Sequence, residues 1–211
     1  MIYTSARTGD PTGASGRSTL NITVGEMSFN ILVVCIGNVC RSAQAERLLC
    51  FRLDVLLGDQ SSAFDVTSAG VRAMVGNAMD ASSAQELKRL GGTAAGFVST
   101  QLTREHVQRA DLVLTATKDL RSRVLQDVPG ALRRSFTLPE FAALVLDAAA
   151  DTPKNLVADA ARRRSSAHVE NYDVTDPIGR SAEVHRHVAT VLDWCTQVIA
   201  TSLANTVLSD S

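Results

Sequence analysis

The chain is short of net charge, of paired cysteines and of long apolar runs, and each shortage removes a class of function. Its 211 residues carry 21 Lys and Arg against 22 Asp and Glu, a net charge of -1. No global field therefore marks a nucleic-acid binder, and an acidic substrate has to be attracted by local charge. No apolar run approaches the ~20 residues that span a bilayer, and the N-terminus lacks the hydrophobic stretch of a secretory signal. The expected setting is the cytoplasm, with no membrane partner. The four cysteines at 35, 40, 50 and 195 show no zinc-ligand pairing. A Walker-type loop is missing because no Gly-Lys-Ser/Thr follows the first strand, and a dinucleotide fingerprint lacks its second and third glycines.

What is present is a pattern of alternating strands and helices. Hydrophobic residues make up 45% of the chain, enough to bury one substantial core. Residues 1–26 are rich in Gly, Ser and Thr with little periodicity and read as a disordered extension, leaving 27–211 as a single domain. Within it the patterning predicts strands over Asn30 to Val34, Phe64 to Ser68, Leu112 to Thr115 and Ser135 to Leu138. Helices are expected over Ser42 to Leu57, Ala81 to Leu90 and Lys118 to Gln126, with an alanine-rich helical region from Pro139 to Ala161. Arg162-Arg163-Arg164-Ser165-Ser166 reads as a solvated loop. Val184, Val188, Val191, Leu192, Cys195, Val198 and Ile199 repeat at helical spacing, giving a closing amphipathic helix that packs on the sheet. His185 and His187 sit early in it without a metal-ligand pattern, Trp194 reads as partly buried packing, and Cys50 and Cys195 fall on apolar helix faces. Alternation of this kind implies an α/β fold, a parallel sheet of about four strands with helices on both faces.

The chemistry concentrates in Cys35-Ile36-Gly37-Asn38-Val39-Cys40-Arg41-Ser42. A β-rich apolar run ends in Cys35, and a helical pattern begins at Ser42, so the cysteine sits where a strand hands over to a helix N-terminus. The first amides of a helix have no intrahelical partners and its dipole favours negative charge, so a phosphate is well held there. Gly37 and Asn38 tolerate the φ values that let successive N–H groups converge on one anion. Arg41 adds a planar fork able to hold two phosphate oxygens, a geometry lysine lacks. The same field favours a thiolate at Cys35, and Ser42 can donate a hydrogen bond to it. A thiolate beneath a bound phosphate is a nucleophile in position.

Displacing a phosphoryl group leaves an oxyanion that needs a proton, so a carboxylic acid is sought opposite the nucleophile. Asp176 is the candidate. Pro177 holds it in an extended conformation, and Ser181 is a good N-cap for the helix that follows. Asp173 is the competitor nearby.

Cys-Ile-Gly-Asn-Val-Cys-Arg-Ser with a distant Asp-Pro resembles the low-molecular-weight protein tyrosine phosphatases, a family that includes related arsenate reductases. Thr67-Ser68-Ala69-Gly70 and Asp111-Leu112-Val113-Leu114-Thr115 are similar to its second and third strand regions. The resemblance implies a doubly wound, flavodoxin-like fold and a phosphomonoester hydrolase acting on protein phosphotyrosine or small aryl phosphates. Cys35 would attack phosphorus, Arg41 clamp the equatorial oxygens, and Asp176 protonate the leaving group and then activate water against a phosphocysteine, with no metal or cofactor. Ile36, Gly37, Asn38, Val39, Cys40 and Ser42 would form the phosphate-binding loop, supported by Ser68, with inorganic phosphate or other oxyanions as product or inhibitor. Cys40 matches a second loop cysteine that in the family can pair reversibly with the nucleophile; small-residue packing is the other reading. Ile178 and Gly179 stand where the family commonly has an aromatic residue to flank the phenol ring, and Tyr172 is the substitute wall. Phe97-Val98-Ser99-Thr100-Gln101-Leu102 lacks the family's basic residue before Gln-Leu. Two other functions fit the same scaffold: an arsenate reductase using an external thiol, since no relay cysteine occurs in residues 75–95, and a catalytically silent phosphate-binding module.

Overall fold

Seven residues of apolar, β-branched character, Phe29–Cys35, form β1 of the computed structural model, which describes residues 28–208. The extension expected over 1–26 lies outside the described residues. Along β1, Phe29, Ile31, Val33 and Cys35 enter one apolar cluster, while Leu32 and Val34 enter another on the opposite face. A strand buried on both faces needs no polar alternation, which is why the run reads as continuously hydrophobic. Three more strands, β2 (Phe64–Gly70), β3 (Leu112–Thr115) and β4 (Ser135–Thr137), complete a parallel sheet of order β2-β1-β3-β4.

Helices cover both faces. Helix α1 (Arg41–Leu57) lies over the first face, and a short α2 (Ala81–Arg89) follows β2. The opposite face takes α3 (Arg104–Arg109) and α4 (Lys118–Asp127), whose Val107 and Val124 meet Leu32, Val34 and Val113. Back on the first face are α5 (Leu138–Val145), α6 (Pro153–Arg162) and α7 (Ala182–Leu208). The chain passes from β1 outward to β2 and then returns to place β3 on β1's other side. That reversal opens a crevice at the C-terminal ends of the central strands, where ligands bind in open α/β sheets. Cys35 is the last residue of β1 and stands at that crevice.

Several expectations need correction. The region Pro139 to Ala161 is not one helix: Thr152 caps a new start by accepting from Asn155 N at 3.2 Å, and Pro153 occupies the first turn, where its missing N–H costs nothing. Helix α3 went unread because one turn carries no period to detect. Helix α7 packs chiefly on α1 and α5, within the cluster that covers the first face of the sheet. The arginine run is solvated except at Arg164: Arg162, Arg163, Ser165 and Ser166 are exposed. Arg163 still donates to Leu144 O (2.8 Å) and Asp159 Oδ2 (2.5 Å), while Arg164 lies 4.3 Å over the Phe136 ring and donates to Ser135 O (2.7 Å). That carbonyl and the buried Glu140, 3.3 Å away, draw Arg164 inward. Trp194 is 46% exposed, Cys195 fully buried and Cys50 partly so. No helix among the described residues is long and apolar enough to cross a membrane.

Candidate active site

The loop from Cys35 to Arg41 is held in shape by one asparagine. Asn38 has φ 53°, the left-handed region that Asn enters more readily than most residues, and it is fully buried. Gly37, expected to share that role, keeps an ordinary φ. Asn38 Nδ2 donates to Ser42 Oγ (2.9 Å) and Ser68 Oγ (2.8 Å), and its Oδ1 accepts from Thr100 N (2.7 Å). Ser42 Oγ, which accepts from Asn38, lies 2.9 Å from Cys35 Sγ and is the donor once the sulfur is a thiolate. The backbone N–H of Asn38 also donates to that sulfur at 3.2 Å. Ser42 and the Asn38 amide thus converge on Cys35 Sγ.

Ser68 in turn donates to Glu46 Oε2 at 2.5 Å, and burial raises the Glu46 carboxyl above its usual range. Gly70 is required by close approach: a Cβ there would stand 2.5 Å from Ile36 O and 3.0 Å from Asn38. The segment after β2 runs along the loop, with Arg72 N donating to Ile36 O (3.0 Å), Met74 N to Gly37 O (2.9 Å) and Asp80 N to Val39 O (2.9 Å). Ser99 Oγ adds a bond to Gly37 O at 3.1 Å.

At the start of α1, Cys40 is the N-cap residue and makes no side-chain cap, and the first turn holds no acidic residue. The first amides of the helix are thereby left for an external anion. Arg41 points inward, 3% exposed, donating from Nη1 to Val174 O (3.0 Å) and from Nη2 to Asp176 Oδ2 (2.6 Å). Its Nε is buried with no partner. A buried donor left unpaired costs about 1–3 kcal/mol, so an oxyanion reaching Nε recovers a real deficit. Asp176 is 39% exposed on its side chain, so the ion pair is open to solvent and to an entering phosphate.

The competing carboxylate is tied elsewhere. Asp173 Oδ1 accepts from Lys118 N at the start of α4 (2.8 Å). Tyr172 turns away from a wall position: its hydroxyl donates to Ala167 O (3.0 Å), and Lys118 Nζ lies 3.7 Å over its ring. Ile178 is 48% exposed on the Asp-Pro loop, its N–H on Asp176 Oδ1 at 3.3 Å, and Met74, 49% exposed, leans on Gly37 from the other side. Cys40 is a different thiol from Cys35: burial pushes it up to about 12, only partly offset by a hydrogen bond from Ser83. No group of three or more His, Cys, Asp or Glu side chains among the described residues is placed to hold a metal ion.

The residues that sequence reasoning missed are Glu46, Thr100, Asp80, Ser83 and His185, which brace the loop from behind. His185, 4% exposed, has Nδ1 3.3 Å from Ser83 Oγ. Glu46 carried one usable signal, a carboxylate spaced for the inner face of α1; the others are linked to the loop only by tertiary packing.

Comparison with known proteins agrees with this geometry. Residues 30–160 match the family model described as low molecular weight phosphotyrosine protein phosphatase. The chain is 32% identical over 109 residues to the low molecular weight protein-tyrosine-phosphatase Ptp of Acinetobacter johnsonii, covering 52% of this chain and 71% of that one. It is 36% identical over 115 residues to the protein-arginine-phosphatase of Geobacillus stearothermophilus, covering 54% and 72%. The crystal structure of the Erwinia amylovora tyrosine phosphatase AmsI superposes with a TM-score of 0.64 at 25% identity, over 84% of this chain and 94% of that one. A match over well more than half of the chain, on a sheet whose central strand ends in the loop cysteine, shows that this protein belongs to the low molecular weight phosphotyrosine protein phosphatase family.

Proposed function

We propose that the protein removes phosphate from phosphotyrosine in proteins, and from small aryl phosphates, through a phosphocysteine. The observation that carries the reading is the meeting of Arg41 with Asp176 at 2.6 Å, across 135 residues of sequence, at the helix start that follows the Cys35 loop. In the first step the Cys35 thiolate forms the S–P bond as the P–O bond to the phenol breaks, and Asp176, protonated once Arg41 has released it, gives that proton to the phenolate. Arg41 leaves the carboxylate for the phosphoryl oxygens, a bidentate partner that the ion pair with Asp176 only half supplies. In the second step water attacks phosphorus, Asp176 takes the water's proton, the S–P bond breaks, and phosphate leaves with the thiolate restored.

Met74 and Ile178 support an aryl substrate, since two exposed apolar side chains border the loop and the acid. A phosphoarginine substrate is the second reading, because one relative at 36% identity is a protein-arginine-phosphatase. The two differ in the leaving group and not in the nucleophile, so parallel assays with phosphotyrosine and phosphoarginine peptides separate them. Four free cysteines among the described residues suit a reducing compartment, and we place the protein in the cytoplasm on that ground.

Cys35→Ser should abolish hydrolysis of p-nitrophenyl phosphate, and rapid quenching of the wild type should trap one phosphoryl group on Cys35. Arg41→Lys should lower kcat/KM by at least about a hundredfold, since a point charge does not replace the fork. Asp176→Asn should slow phenyl phosphate far more than p-nitrophenyl phosphate, whose leaving group needs less protonation. Equal losses on both substrates would remove Asp176 from the acid's role. Turnover of arsenate with glutathione, without hydrolysis of either phosphoester, would replace the phosphatase reading with the reductase one, and tight phosphopeptide binding without phosphate release would leave a binding module.

A further inference from the structure

His185 takes no part in the reaction derived above, yet it is buried on α7 against the back of the nucleophile loop. Its Nδ1 lies 3.3 Å from Ser83 Oγ and 3.6 Å from Asp80 Oδ1. Those two residues form the N-terminus of α2, where Asp80 Oδ1 caps Ser83 N at 3.0 Å. They also grip the loop. Asp80 N donates to Val39 O at 2.9 Å, and the Ser83 side chain stands beside the Cys40 thiol. His185 Nδ1 and Ser83 Oγ share one hydrogen bond, whose direction follows the imidazole tautomer.

The loop is thus held from two sides by separate sets of residues. Cys35, Asn38 and Ser42 are tied to Ser68, Glu46 and Thr100. Val39, which leads into the first turn of α1, is tied to Asp80 and through it to Ser83 and His185, with Ser83 beside Cys40. The first set surrounds the sulfur. The second borders the amides that receive an anion.

We propose that His185 is a positioning residue for the anion-binding side of the loop, acting through Ser83 and Asp80 to fix Val39 and Cys40 and so to set phosphate affinity. It rests on the phosphatase reading for its kinetic readout, but not for its binding readout. Removing the imidazole leaves the buried Ser83 hydroxyl short of its partner and Asp80 with only the Ser83 amide, and lets the loop's anion side relax.

The test uses His185→Leu, His185→Asn, Ser83→Ala and the double variant His185→Leu/Ser83→Ala in the full chain. KM and kcat are measured on p-nitrophenyl phosphate, the Kd for inorganic phosphate by calorimetry, and Tm alongside. His185→Leu should raise KM and phosphate Kd roughly tenfold while kcat stays within about twofold. Asn, whose amide can reach the position of Nδ1, should restore most of the affinity. Adding Ser83→Ala to His185→Leu should cost little more than either alone, as expected for residues in one chain of contacts. A lowered Tm with unchanged phosphate Kd would reduce His185 to a packing residue, and a fall in kcat at constant KM would place it in the chemical step; either overturns the proposal. Should His185→Leu fail to fold, Ser83→Ala decides, since an unchanged phosphate Kd there also overturns it. A wild type that binds phosphate but hydrolyses no aryl ester would defeat the phosphatase reading and leave the phosphate Kd arm intact.

Discussion

Asn38 decides the shape of the site more than any glycine in it. An alanine there would keep φ 53° at a cost of about 1–2 kcal/mol, the usual penalty for a left-handed residue with a Cβ. It would also leave Ser42, Ser68 and the Thr100 N–H short of a partner, at about 1–3 kcal/mol for each buried group left unpaired. The hydrogen bonds therefore outweigh the backbone term. Asn38→Gly, which relieves the strain and restores no bond, should recover only about 1 kcal/mol of stability relative to Asn38→Ala, read from urea midpoints. Both should lose most of their activity. The two loop thiols should separate as sharply: iodoacetamide at mildly alkaline pH should label Cys35, with protection by inorganic phosphate, and spare Cys40, whose thiol burial pushes up to about 12. Peptide mass mapping reads the outcome, and prior labelling of Cys40 would contradict it.

At the scale of elements, the strand ends matter more than the strand centres. Where β2 finishes, Gly70 lets the backbone pass so close to Ile36 O that a Cβ would stand 2.5 Å away, against backbone that has nowhere to move. Gly70→Ala should displace the nucleophile loop, lowering kcat/KM by well over tenfold and Tm by several degrees, roughly what a loss of 1–3 kcal/mol produces. The end of α6 is the second such place. Arg164, its side chain 24% exposed, joins β4 to α5 through Ser135 O, Glu140 and the Phe136 ring. Arg164→Ala should cost about 1–3 kcal/mol by leaving Glu140 short of one cation, although Arg121, 2.7 Å away, still pairs with it. Activity at temperatures below the transition should hardly change, because none of these groups touches the loop.

For the whole molecule, two buried thiols and one partly buried thiol bias stability against high pH. Cys40 and Cys195 are raised from 9.0 to about 12 and Cys50 from 9.0 to about 11, in each case mainly by burial. Below pH 9 the thiols are protonated in folded and unfolded chains alike, and their full contribution is present. Between pH 9 and about 11–12 the unfolded chain ionises while the folded one does not. Each thiol then removes up to about 1.4 kcal/mol of stability per pH unit. Denaturation midpoints should fall steeply above pH 9, and Cys195→Ala should flatten the slope while lowering the plateau through its cavity. With β1 starting at Phe29 and the last helix ending at Leu208, we propose a domain of residues 27–211, so that a chain beginning at Met27 should match the full chain in Tm and in kcat/KM.

How far the residues alone carry the account depends on the range of the interaction. Local chemistry was legible. An apolar run ending at Cys35, an uncapped helix start and a fork at Arg41 lie within seven neighbours, and their roles follow from strand-to-helix geometry that short segments determine. Alternating periodicity likewise implied a parallel sheet, because right-handed crossovers leave little else. The strand order, the break at Thr152-Pro153 and the inward turn of Arg164 were decided by packing. So was the division of labour between two aspartates three positions apart: Asp173 and Asp176 are equivalent as residues, and only the return of the chain over β3 gives one to the start of α4 and the other to Arg41. His185 is the plainest case, a histidine on a helix whose neighbours come from more than a hundred positions away. Sequence determines what each side chain can do, and closure of the chain on itself determines which partner it meets, since partners so distant are chosen by the burial of whole elements and not by local preference.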